Sequence, residues 1–93
     1  MTMTKADITK SIAQGTGLTL IDVAAVVDGM LETLSDELEK GGRIEMRGFG
    51  TFKVDDRAER NAVNPRTGEG IHVPAKKVPV FKASMKLKDK VNK

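Results

Sequence analysis

The sequence predicts an α+β protein whose elements follow the order α-α-β-β-β-α. The apolar residues of positions 4–42 recur at helical spacing, whereas those from residue 43 onward alternate with polar ones. A third observation sets residues 55–77 apart, because this segment has only three large aliphatic side chains: Val63, Ile71 and Val73. The length of 93 residues is that of one domain.

The first helix is predicted to begin after Thr4. Thr4 and Asp7 form a capping-box-like pair, in which a hydroxyl and a carboxylate three residues apart satisfy free backbone N–H groups. The residues that then share an apolar face are Ile8, Ile12 and Ala13. Gly15 and Gly17 are predicted to end this helix.

The second helix is predicted to span about 20 residues, a typical length for a long helix of a small domain. Thr19 with Asp22 repeats the start signal, and Gly41-Gly42 is a natural stop. Its apolar stripe is Leu20, Val23, Ala24, Val27, Leu31, Leu34 and Leu38. Its opposite, polar side carries Asp28, Glu32, Asp36 and Glu39.

Strands are predicted where the hydrophobic period changes to two. The alternating apolar residues are Ile44 and Met46, then Phe52 and Val54 after Gly48-Phe49-Gly50, then Ile71 and Val73, and finally Val78, Val80 and Phe81. Ser84 is the predicted N-cap of a short last helix, in which Leu87 and Val91 share a face.

Residues 55–77 contain the turn signal Asn64-Pro65-Arg66-Thr67-Gly68, so the flanking residues can pair as a hairpin. A two-stranded ribbon buries no core of its own, which leaves three alternatives: a disordered loop, a hairpin packed elsewhere, or an arm ordered by a ligand. Its basic residues favour an arm that meets an anion. They are Arg57, Arg60, Arg66, Lys76 and Lys77.

The charge distribution is uneven. Residues 1–42 carry three Lys/Arg against seven Asp/Glu, a net of −4, and residues 43–93 carry thirteen against six, a net of +7. The second half is therefore a candidate surface for a polyanion, and a solvated basic face is the alternative.

Several function classes lack support in the sequence. The absence of cysteine excludes disulfides, thiolate metal sites and a cysteine nucleophile. The one histidine, His72, is expected on the polar side of a strand, no glycine-rich phosphate motif occurs, and no metal-ligand spacing is present. We therefore expect no enzyme, cofactor, metal or small-molecule substrate. No apolar run of about 20 residues and no signal peptide is present, so an intracellular protein without a membrane partner is expected.

The three aromatic residues give little support to base stacking on single strands. Phe52 and Phe81 lie on the apolar side of their strands, and Phe49 fits either role. Pro65 has two interpretations. It presets a turn, or its ring is a wedge that unstacks one base step of a duplex while arginines line the minor groove.

These motifs together resemble the bacterial HU and integration host factor family of DNA-bending proteins. The resemblance rests on Gly48-Phe49-Gly50-Thr51-Phe52, Arg60, Asn64-Pro65-x-Thr67-Gly68-Glu69, Phe81-Lys82 and Lys86-Leu87-Lys88, and covers nearly the whole chain. The start, Thr4-Lys5-Ala6-Asp7, is closer to integration host factor.

The resemblance implies an intertwined dimer with a helical base and two protruding β-ribbon arms, in which a homodimer is favoured over a heterodimer. It implies one domain, 1–93, with a helical dimerisation base (1–42), a sheet and last helix (43–54 and 78–93) and a flexible DNA-binding arm (55–77). A dimer is also expected from the sequence itself. Only about 70 residues outside the arm supply a core, and a domain that small buries a modest share of its surface unless a second copy covers it. The implied partner is double-stranded DNA of the cytoplasmic nucleoid, bound with low or shape-based specificity. An arm that docks on an acidic protein is the alternative.

The resemblance also assigns roles to individual residues. Pro65 is the intercalating wedge, Asn64 and Arg66 flank it, and Arg60 lies in the minor groove. The implied backbone contacts are Thr4, Lys5, Arg47, Gly48, Lys53, Arg57, Lys76, Lys77, Lys82 and Lys86. Departures from the family pattern are Ala62-Val63 before the tip, Ala83-Ser84-Met85 after Lys82, and the acids Asp55, Asp56 and Glu59.

Overall fold

A computed structural model describes residues 1–93, which form two compact units, Met1–Asp36 and Glu37–Lys93. The predicted α+β class and the β-ribbon arm are confirmed. The elements are α1 Lys5–Thr16, α2 Leu20–Glu39, β1 Ile44–Met46, β2 Gly50–Arg57, β3 Arg60–Val63, β4 Gly70–Val73, β5 Lys76–Ala83 and α3 Met85–Val91. Three strands form the body sheet, and the arm adds β3 and β4.

Helix α1 begins with the predicted capping box. The Thr4 hydroxyl accepts a hydrogen bond from the Asp7 backbone N–H, and Asp7 Oδ2 accepts one from the Thr4 backbone N–H at 2.9 Å. Gly17 ends the helix in the left-handed conformation, with φ of 77°. The prediction that Gly15 also ends it is wrong, because Gly15 lies inside the last helical turn.

The capping box makes α1 sensitive to acid. The hydrogen bond from the Thr4 backbone, and then that from its hydroxyl, lower the pKa of Asp7. The stabilisation is therefore fully present above the ordinary aspartate value of about 3.9 and is lost as the pH falls through the lowered pKa. We expect wild type to lose more free energy of unfolding than Asp7→Asn between about pH 5 and pH 3 in urea titrations. Equal losses would contradict this role of the carboxylate.

Helix α2 is bounded by the predicted signals. Thr19 Oγ1 accepts a hydrogen bond from the Asp22 backbone N–H at 3.1 Å. At the other end, the N–H of Gly42 donates to the Glu37 carbonyl and that of Gly41 to the Leu38 carbonyl. This pair of bonds is a Schellman motif, and Gly41 takes the left-handed φ of 82° that it requires.

The chain buries little apolar surface by itself. Val23, which is 2% exposed, is its one fully buried hydrophobic side chain. Residues of the predicted apolar faces remain open, among them Leu20 at 56% and Leu31 at 46% exposure. Such contiguous apolar faces need cover from another molecule.

The body sheet has the antiparallel order β1-β2-β5. Its register places Phe52 opposite both Ile44 and Phe81. Because directly paired residues share a face, these three side chains lie on one apolar face of the sheet. Val78 and Val80 pair with Asp55 and Lys53 and therefore lie on the other face.

The arm, residues 55–77, is a two-stranded antiparallel ribbon, because the residues on the two sides of its turn pair as a hairpin. Its inner part is the end of the body sheet, where Arg57 pairs with Lys76. Its outer part is the β3–β4 pair, in which Arg60 pairs with Val73 and Val63 with Gly70.

Candidate nucleic-acid interface

One face of the body sheet collects basic side chains. Lys82 pairs with Thr51, Lys53 with Val80, and Arg57 with Lys76, and these pairs share a face because they are separated by even numbers of residues along the strands. Asp55 lies on the same face, and its carboxylate oxygen Oδ1 is 3.6 Å from Lys53 Nζ. Four of the residues predicted to contact DNA are thus brought together on this face: Lys53, Arg57, Lys76 and Lys82.

A concavity of about 940 Å³ adjoins this basic face. It gathers the predicted residues Arg47, Gly48, Lys53 and Lys82. The sequence reasoning missed its other cations, Arg43 and Lys88. Glu45 is the one carboxylate among the lining residues, against five cations, so the surface attracts an extended anion.

The β1–β2 turn and the start of α3 meet beside this concavity. Gly48 has a φ of 82°, and the Phe49 N–H closes the turn on the Met46 carbonyl at 2.9 Å. The Ser84 N–H donates to the Phe49 carbonyl, which joins the start of α3 to this turn. Lys86 follows, and its Cδ lies 3.7 Å from the position that a Cβ would take at Gly48. Predicted residues Gly48 and Lys86 are therefore neighbours.

Ser84 is confirmed as the N-cap of α3. Its hydroxyl accepts a hydrogen bond from the Leu87 backbone N–H at 3.1 Å. The cap fixes where the helix begins and thereby sets the position of Lys86 in its first turn and of Lys88 in its last turn.

A second concavity of about 520 Å³ lies at the base of the arm. It gathers Arg57, Arg60 and Lys76, three of the residues predicted to contact DNA. Lys77 is not part of it. Lys77 pairs with Asp56 and so points to the opposite face of the strand pair, where its Nζ is 4.0 Å from Asp56 Oδ1.

The arm ends in a four-residue loop, 65–68. The Asn64 carbonyl accepts the Gly68 N–H at 2.7 Å, and the Asn64 side-chain oxygen accepts the Arg66 N–H at 2.9 Å. Gly68 completes the loop with a φ of 75°. Pro65 is exposed at this tip, and Val63 below it is 67% exposed.

Two predicted contacts lie in the helical unit. Thr4 caps α1, and Lys5 Nζ lies 2.7 Å from Asp28 Oδ1 in α2. Both groups of this ion pair are more than half exposed, so solvent screens it and the lysine is easily exchanged to another anion.

The three phenylalanines form one cluster. Ring centroids of Phe52 and Phe81 are 4.8 Å apart, and those of Phe49 and Phe81 are 5.2 Å apart. Both pairs have the tilted geometry that aromatic side chains favour. The sequence left both base stacking and core packing open for Phe49. In the structure Phe49 packs against Phe81.

The structure gives no support for a membrane-spanning helix or a metal-binding cluster. No helix combines the length and apolar composition that crossing a bilayer requires. No three histidine, cysteine or acidic side chains lie close enough together to hold a metal ion.

Comparison with known proteins identifies the family. Residues 3–92 match a family model described as bacterial DNA-binding protein. The chain is 45% identical over 91 residues to DNA-binding protein HU of Clostridium pasteurianum, covering 98% of this chain and 100% of that protein. The chain belongs to the HU family of bacterial DNA-binding proteins. HU of Thermus thermophilus is 46% identical over 92 residues, which cover 99% of this chain and 95% of that protein.

Solved HU structures share the fold. An Anabaena HU–DNA cocrystal structure superimposes with a TM-score of 0.87 at 31% identity, covering 96% of this chain and 97% of that one. An HU variant from Thermotoga maritima gives a TM-score of 0.71 at 32% identity and covers 96% and 99% of the two chains. The HU resemblance predicted from the arm and turn motifs is confirmed.

Proposed function

We propose that this chain is an architectural protein of the bacterial nucleoid that binds and bends double-stranded DNA without catalysis. The observation that carries the proposal is the basic concavity, in which five cations face one carboxylate. An Anabaena HU of the same fold is seen with DNA, which supports duplex DNA as the ligand.

Affinity is proposed to come from the phosphate backbone. Lysine and arginine side chains of the basic face and concavity neutralise phosphates and release counterions, which requires no base sequence. If a dimer covers about ten phosphates, the logarithm of the binding constant falls with the logarithm of salt at a slope near −9. The implied specificity is low and depends on DNA shape.

The binding unit is proposed to be a homodimer. The open apolar faces of α1 and α2, with Ile8, Leu20 and Leu31 each more than 40% exposed, are suited to cover by a second copy. Residues 1–42 then form the dimerisation base, residues 43–54 and 78–93 the DNA-facing body, and residues 55–77 the arm. Two arms per dimer hold the duplex from both sides.

Each arm tip is proposed to kink the duplex from the minor groove. Pro65 enters between base pairs, Asn64 and Arg66 flank it, and Arg60 lies along the groove. The Asn64 hydrogen bonds hold the loop in shape, so little loop ordering is needed on binding. Unstacking costs a few kcal/mol, and added phosphate contacts offset it, so flexible or already kinked DNA is preferred.

Pro65→Ala is expected to reduce DNA bending more than DNA binding. Bend angle is measured by energy transfer between dyes at the ends of a duplex, and affinity by gel shift on the same duplex. Pro79→Ala is the matched control, because it makes the same change in β5, outside the tip and on the face of the body sheet opposite the basic one. Removing the wedge leaves the phosphate contacts, so affinity falls by less than about tenfold while the bend relaxes. Wild-type bending in the Pro65 variant would remove the wedge from the proposal.

A protein-interaction module is the second candidate. The exposed Val63 near the tip and Glu59 on the arm favour it, since both are unusual on a surface made for phosphates. Gel shift at low salt separates the two functions: retention of duplex supports the DNA-binding proposal, and no retention supports a protein partner.

A further inference from the structure

The outer part of the arm has no net charge of its own. Residues 59–74 contain two arginines, Arg60 and Arg66, and two glutamates, Glu59 and Glu69, whose formal charges cancel. A ribbon proposed to enter the groove of a polyanion therefore lacks the positive charge that favours this role. His72, the one histidine of the chain, is the remaining titratable side chain of this segment.

His72 lies between two acceptor oxygens. It pairs in register with Asn61 of β3, and its Nδ1 is 3.4 Å from Asn61 Oδ1. Its Nε2 is 3.6 Å from Glu59 Oε2. A neutral imidazole has one N–H and can donate to one of these oxygens only, whereas an imidazolium donates to both. The charged ring is therefore the form that presents a proton to each of the two oxygens.

Glu59 is the charged group that faces His72. β3 is the only strand paired with β4, and Glu59, directly before β3, is the side chain within ion-pair distance of the imidazole. Arg60 pairs with Val73 and so lies on the other face of the ribbon. The remaining charged residues of the outer arm are Arg66 and Glu69, and those of its base are Asp55, Asp56, Arg57, Lys76 and Lys77.

We propose that protonation of His72 turns the outer arm from neutral to positive and thereby strengthens DNA binding as the pH falls. This inference rests on the proposed function. The added proton pairs with Glu59, so that Arg60 and Arg66 are no longer balanced by two carboxylates. Histidine is the side chain whose ordinary charge change falls near neutral pH, which makes it the natural source of such a response.

Fluorescence anisotropy of a labelled duplex at constant ionic strength tests the inference. With one added charge on each of two arms, wild-type affinity is expected to rise about tenfold from pH 8 to pH 5.5. The affinity of His72→Gln for the duplex is expected to stay weak and nearly independent of pH. His72→Lys is expected to bind tightly at both ends of the pH range. Glu69→Gln is the matched control, since it removes a carboxylate from the same arm but leaves His72 and Glu59 in place. It raises affinity and keeps the wild-type pH dependence.

The imidazole resonances of the single histidine give a second, direct measurement. The tenfold gain in affinity is divided equally between the two arms of a dimer. Linkage then requires that added duplex raise the pH midpoint of the histidine titration by about half a unit on each arm. If wild type and His72→Gln bind duplex with the same pH profile, the inference is overturned and the proposed function is left intact. No binding by any variant at low salt, at any pH, would overturn both.

Discussion

Gly50→Ala is expected to destabilise the folded protein by about 2–3 kcal/mol, the cost of forcing a methyl group into a filled site. Gly50 is buried in β2, opposite Ala83. A Cβ at this position would lie 2.5 Å from the Lys82 carbonyl oxygen and 2.5 Å from the Phe81 ring. The carbonyl belongs to the strand backbone and cannot move aside without disturbing the β2–β5 pairing.

Thermal and urea unfolding followed by circular dichroism measure this effect at matched protein concentration. The midpoint temperature is expected to fall by roughly 10 °C or more. Gly15→Ala is the control: a Cβ there meets nothing within 4 Å, and alanine favours the helix by about 0.5–1 kcal/mol. Similar midpoints for the two variants would contradict the close packing described at Gly50.

Arg47→Gln combined with Lys82→Gln is expected to weaken binding to duplex DNA by about a thousandfold near 0.1 M salt. Both side chains line the basic concavity. In a homodimer the double variant removes four cations, and each phosphate that is no longer neutralised lowers the magnitude of the salt slope by about 0.9. The slope is therefore expected to change from near −9 to near −5.

The control for this pair is Lys10→Gln combined with Lys40→Gln, which changes the net charge equally. Both lysines are exposed and neither lines a concavity of the basic face. Titrations of a labelled duplex over a salt series give affinity and slope together. If both double variants have the same slope, binding depends on overall charge and not on the concavity.

Local signals were sufficient to predict the ends of the helices. Thr4 with Asp7, Thr19 with Asp22, and Ser84 each act within three residues, so the hydrogen bonds that they form follow from spacing alone. Gly15 shows the limit of such signals. A glycine is tolerated within a helix, and the helix ends where the chain takes a positive φ, at Gly17.

The composition of the interface was less predictable because it depends on pairing between distant strands. Lys76 and Lys77 are adjacent lysines that the sequence alone does not distinguish, but the β2–β5 register places their side chains on opposite faces of the sheet. Lys88 joins the concavity because the Ser84 N–H binds the Phe49 carbonyl and brings α3 to the β1–β2 turn, and Arg43 joins it because it directly precedes β1. Family resemblance is the ground for the proposed role of the tip, which spacing alone left open.

The strand pairing of the arm is interrupted partway along its length. The β2–β5 ladder ends at Arg57 and Lys76, and pairing resumes only at Arg60 and Val73. Pro74, which has no N–H, lies in this gap. Rotation there would break no inter-strand bond, so we expect the gap to act as a joint about which the distal ribbon can swivel. In the proposed complex one protein can thereby fit duplexes of different curvature, and the freedom lost when both ribbons of the proposed dimer are captured subtracts from the affinity.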